Sequence, residues 1–132
     1  RLHPQKSELY LKSYPSLQPY RDVLLGHHKS FLGLGYPESF NNRQSPYFPI
    51  INIVQICDCL DAATEVIGRN YHTPKDFDTV IKEFERDRAV IYDPVLVDAI
   101  KGDTVLYGAL KYKLQTGRPQ QYDRLISSLH DN

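Results

Sequence analysis

Residues 50–66 read IINIVQICDCLDAATEV. Ile50, Ile53, Val54, Cys57 and Leu60 recur at helical spacing, and Ile51 and Ile56 make a second side apolar as well. The pattern predicts a central, largely buried helix. Asp58 and Asp61 lie one turn apart inside it. A buried carboxylate either protonates or needs a cation, a hydrogen-bond network or an ion pair. Pairing or capping is the ordinary explanation, so a metal needs further ligands to compete with it.

Downstream, Gly68 is expected to end this helix and Arg69–His72 to connect it to the next. Thr73 reads as an N-cap with Pro74 at the first helical position. Phe77, Val80, Ile81 and Phe84 then keep helical spacing. Asp93-Pro94 opens another helix bearing Val95, Leu96 and Ile100. Gly102 interrupts it, and Asp103 or Thr104 caps a helix through Val105, Leu106, Leu110 and Leu114. Gly117-Arg118-Pro119 is expected to break that helix before a last amphipathic one over 120–130, with Tyr122, Leu125, Ile126 and Leu129.

Upstream, residues 32–49 carry Pro37, Pro46 and Pro49, two glycines and Asn41-Asn42, which reads as a loop. Its aromatics suit an ordered loop packed onto the domain. Before it, a helix from about Ser16 carries Leu17, Tyr20, Val23 and Leu24 and ends at His27-His28. A first helix occupies residues 3–13, with Pro4 in its opening turn and Tyr14-Pro15 as its stop. No segment reads as a strand. The fold class expected is all-α, about six helices with one long ordered loop near 32–49.

The chain has 132 residues, 41% hydrophobic and 24% charged, which suits one globular domain spanning 1–132. Its formal net charge is zero, which argues against a non-specific binder of nucleic-acid polymers. No apolar run is long enough for a membrane span. Cys57 and Cys59 are too close in sequence for an unstrained disulfide and read as free thiols packing a helix in a reducing, cytoplasmic setting. The chain starts at Arg1 and contains no Met, as expected of a piece of a longer protein.

His3, His27, His28 and Asp58 are candidate metal ligands. Imidazole and carboxylate suit divalent iron, manganese or zinc. The four side chains are expected to converge in space. Adjacent histidines diverge on a regular helix, so His27 and His28 either reach different ions of a close pair, or one of them only supports a ligand. A two-metal site favours phosphoester hydrolysis, because it clamps both the attacking and the leaving oxygen. Arg69, Lys29 and His72 are the candidate cations for phosphate.

HHxxxxGxGYP at 27–37, followed by IxxxCDxxDA at 53–62, resembles the HD-GYP branch of the HD-domain phosphohydrolases. His3-Pro4, Arg69-Asn70-Tyr71 and Tyr92-Asp93-Pro94 resemble further short motifs of that family, in order, over residues 1–100. The resemblance implies an HD-type helical bundle of which this chain is the C-terminal portion. It implies iron or manganese, two ions per complete site, and hydrolysis of a cyclic dinucleotide, cyclic di-GMP, in bacterial signalling. His3, His27, His28 and Asp58 become metal ligands, and Asp61 a catalytic carboxylate in the network around them. Arg69, Lys29 and Tyr36 become substrate contacts. Gly35, Tyr36 and Pro37 become a loop for a diguanylate cyclase or sensor domain, and a homodimer is a further expectation. The family's His-Asp pair is not in the sequence, so the segment alone is expected to be inactive. A docking module without catalysis, and an HD phosphohydrolase for another phosphoester, are the alternatives.

Overall fold

The computed structural model describes residues 3–66 and 73–130. Its helices are α1 (His3–Leu11), α2 (Arg21–Gly26), α3 (Phe48–Thr64), α4 (Phe77–Arg86), α5 (Pro94–Gly102), α6 (Thr104–Tyr112) and α7 (Arg118–His130). A π turn, Lys113–Gly117, joins α6 to α7 without a break, so the helical runs number about six, as expected. Among the described residues the non-helical pairings are two isolated bridges, Lys29 with Gly35 and Arg88 with Tyr92. The all-α expectation holds. None of the described helices is long and apolar enough to cross a membrane.

The core lies where α3, α4 and α5 meet. Ile56 and Leu60 of α3 pack with Phe77, Val80, Ile81 and Phe84 of α4 and with Val97 and Ile100 of α5. The α4 spacing was read correctly, but its cap was not. Asp76 caps α4 by accepting from Thr79 N at 3.0 Å, so Thr73-Pro74 lies ahead of the helix. Asp93 caps α5 as expected, accepting from Val95 N at 2.9 Å, and of the two candidates for α6 it is Asp103 that caps, accepting from Leu106 N at 3.0 Å.

Three other expectations are corrected. Residues Pro15–Tyr20 form a 3-10 helix, and the α-helix begins only at Arg21. Three residues per turn shift the phase of the pattern, so Leu17 and Tyr20 face solvent and Leu25 is the buried leucine. In α3 the buried side bears Ile51, Asn52, Gln55, Ile56 and Leu60, while Ile50 and Ile53 are exposed. Two polar side chains turn inward because each finds a partner. Asn52 Nδ2 donates to Asp93 Oδ2 at 3.1 Å, and Gln55 Nε2 donates to the Ile91 carbonyl at 3.0 Å. Finally, Gly117-Arg118-Pro119 does not break the chain's last helical run. The wider turn just before Pro119 accommodates a residue that cannot donate a backbone hydrogen bond.

Arg118 secures that run to α3. Its side chain is only 12% exposed, pairs with Asp61 and sits 3.6 Å from Glu65, and its Nη2 donates to Thr64 Oγ1 at 3.2 Å. Removing one member of such a largely buried charge cluster strands the others. Arg118→Ala is expected to cost about 2 kcal/mol in urea unfolding, less than a fully buried pair because Asp61 is in contact with water. A change below about 0.5 kcal/mol would show that the ion cluster is a surface ornament.

Candidate metal centre

His3 opens α1 beside buried Pro4, and α1 packs against α2. His27 is the C-cap of α2, its backbone N–H reaching the Val23 carbonyl at 3.1 Å. The helix therefore stops before the histidine pair. Freed from helical divergence, the His27 and His28 rings lie with centroids 4.1 Å apart. Three of the four side chains expected to converge, His3, His27 and His28, do so, because the helix whose geometry would separate adjacent rings has already ended. His3 Nε2 is 3.2 Å from His27 Nε2 and 2.9 Å from His28 Nε2, and one ligand atom from each residue fits within 4.8 Å of the others.

This arrangement fits a cation. Imidazole nitrogen binds borderline divalent ions at about 2.0–2.1 Å, which puts neighbouring ligand nitrogens about 3 Å apart. The Leu24 carbonyl lies 2.9 Å from His27 Nδ1 and can only accept, so Nδ1 carries the proton and Nε2 offers its lone pair. Desolvation, then the neighbouring His27, push His28 down to about 4, and the same two causes lower His3. Both rings are thus neutral at pH 7, the form that binds metal.

Asp58 is the expected ligand left outside the three-histidine group. It is exposed on α3, yet near enough to work against the lowering at both His3 and His28. Asp61, 57% exposed, is engaged by Arg118 rather than by the histidines. Cys57 and Cys59 are free, and burial raises both thiols, which keeps them protonated and poor ligands at neutral pH. Arg69 and His72 lie outside the described residues.

The loop after the histidines is ordered and closes over them. Tyr36 stacks on His28, centroids 4.6 Å apart and planes at 25°, and meets His3 edge-on at 6.4 Å. Gly35 has φ +105, and a Cβ there would lie 2.3 Å from the His28 carbonyl oxygen. No residue with a side chain fits that approach. Pro37 follows through a cis peptide bond and is buried. Lys29, expected to face a phosphate, turns inward instead and donates to the Gly35 and Pro37 carbonyls. The loop's other edge is tied to the α4–α5 corner, where Phe31 N donates to Ile91 O at 2.8 Å and Leu32 N to Val90 O at 3.2 Å. Sequence reasoning missed that corner and missed Arg118. The available signal for the corner was Gln55, a polar residue on the apolar helix.

No family model matches the chain, and no solved structure matches it. Over 85 residues, 64% of the chain, it is 33% identical to a cyclic di-GMP phosphodiesterase of Thermotoga maritima. The aligned segment spans 22% of that relative's length. The chain thus bears a distant, partial similarity to a cyclic di-GMP phosphodiesterase.

Proposed function

We propose that this chain contributes the three-histidine metal site of a phosphodiesterase acting on a cyclic dinucleotide, cyclic di-GMP. The observation that carries the reading is the meeting of the His3 Nε2 with those of the adjacent pair His27 and His28, 3.2 and 2.9 Å away, although His3 lies 24 residues before His27. The Thermotoga relative supports the substrate class. His3, His27 and His28 would hold a divalent ion, iron or manganese, with Asp58 adding negative charge beside them. When bound, such an ion supplies positive charge against a phosphoryl oxygen. The chain's own groups prepare the place for it. Leu24 O fixes the His27 tautomer, Tyr36 orients His28, and the neutral His3 and His28 rings bind without first losing a proton. Arg69 is the proposed phosphate contact. A second ion would need ligands beyond these three histidines.

Titration with manganese or cobalt, followed by calorimetry, tests the site. The chain is expected to bind, and His28→Ala to weaken binding at least 100-fold, because removing a ligand costs more than disturbing its support. An unchanged affinity in His28→Ala would overturn the site. The natural full-length protein, loaded with metal, is expected to open cyclic di-GMP to its linear form. Metal binding without any turnover would instead favour a docking module, a reading supported by Leu32 and Leu34, which are exposed on the loop.

A further inference from the structure

Lys29 is 4% exposed, and its Nζ donates to the carbonyls of Gly35 and Pro37, both at 3.2 Å. Those two residues flank Tyr36. The backbone on either side of the aromatic ring is therefore fixed by one side chain, which itself follows His28 in sequence. The Lys29 backbone is held in turn, donating to Gly26 O at 2.8 Å and bridging to Gly35. Burying an ammonium against neutral carbonyls alone is unfavourable compared with burying methylenes. A methionine would fill the same space without that desolvation. What the ammonium adds is the pair of hydrogen bonds, and what they hold is Tyr36 against His28.

We infer that Lys29 is a positioning residue for the histidine site: it clamps the backbone around Tyr36, and Tyr36 in turn holds the His28 ring in its ligating orientation. The inference rests on the metal reading above for its functional consequence, but not for its geometry. The clamp uses none of the ligands. It assigns to an interior lysine the task that a hydrogen-bonded carboxylate or carbonyl performs for many metal-bound histidines.

The test compares Lys29→Met, Lys29→Gln, Tyr36→Phe and Tyr36→Ala by two readouts. The first is the nuclear Overhauser effect between the Tyr36 and His28 ring protons in the metal-free protein. The second is cobalt affinity by calorimetry. Lys29→Met is expected to keep the helical circular dichroism, lose the ring-to-ring effect and bind cobalt about tenfold more weakly. Tyr36→Ala should match it in affinity, and Tyr36→Phe, which keeps the aromatic ring, should keep the ring-to-ring effect. If Lys29→Met does not fold, Lys29→Gln, one bond shorter and so unable to hold both carbonyls, carries the same comparison. Retention of the ring-to-ring effect in the lysine variants overturns the clamp. Loss of that effect with unchanged cobalt affinity also overturns the inference, because the clamp would then serve the loop alone. If the unmodified chain fails to bind cobalt, the metal reading falls, while the ring-to-ring effect still decides whether Lys29 holds Tyr36.

Discussion

Gly35→Ala is expected to cost about 3 kcal/mol, seen as a fall in the thermal midpoint, and to weaken cation binding at the histidines. Two effects act together. At φ +105 an alanine is strained by its own backbone, and its Cβ would lie 2.3 Å from the His28 carbonyl oxygen. That oxygen belongs to the backbone, so no side-chain rotation relieves the overlap. Either the loop moves off His28 or the His28 peptide turns, and each disturbs the ring that meets His3. Gly33 supplies the control. It also has a positive φ, +90, but a Cβ there would meet Asn42 Oδ1 at 3.5 Å, an ordinary contact. Gly33→Ala should therefore cost only about 1 kcal/mol and leave cation affinity unchanged. Equal losses at the two positions, measured by calorimetry and thermal melting, would mean that backbone strain rather than the approach to His28 governs the loop.

Phe77→Ala is expected to cost about 4 kcal/mol in urea unfolding. Phe77 is fully buried at the start of α4 and meets Tyr107 edge-on, centroids 5.0 Å apart. Its removal leaves a cavity where α3, α4 and α5 meet, lined by side chains that cannot all collapse inward. For a domain whose whole stability is of order 5–15 kcal/mol, that is a large share. If the histidines hold a cation as proposed, and only in the folded chain, saturating metal at about 100 times its dissociation constant should return about 2.7 kcal/mol. A loss below about 1.5 kcal/mol without metal would mean that this part of the core is looser than its burial suggests.

The sequence was most legible where a single pattern operates. Phe77, Val80, Ile81 and Phe84 keep one helical phase, and all four are buried. Asp93 and Asp103 are side-chain caps placed just before a helix; Asp93 acts as read, and Asp103 is the one of the two candidates, Asp103 and Thr104, that caps α6. Reading failed where two patterns overlap. The 3-10 turn over Pro15–Tyr20 has its own period, which shifted the assumed buried face of α2. Asn52 and Gln55 are polar yet buried, because their partners lie across the fold at Asp93 and Ile91, which the local sequence of α3 does not reveal. At the site, the chemistry of His3, His27 and His28 suggested a shared role, but the convergence of the adjacent pair did not follow from a helix. It needed the helix to end at Gly26. Lys29 shows the converse: its charge suggested a substrate contact, while the fold employs its length and its protons inside the loop.

The loop's attachment to the α4–α5 corner also bears on the order in which the molecule assembles. Phe31 and Leu32 donate to the carbonyls of Ile91 and Val90, and Gln55 reaches the same Ile91 carbonyl. These contacts join segments far apart along the chain, and closing a long loop loses more entropy than closing a short one. Local helices such as α4 and α5 can form without that closure, whereas the histidine loop finds its acceptors only once the corner between them exists. The three-histidine site is therefore expected to assemble late in folding, after the helical core has formed.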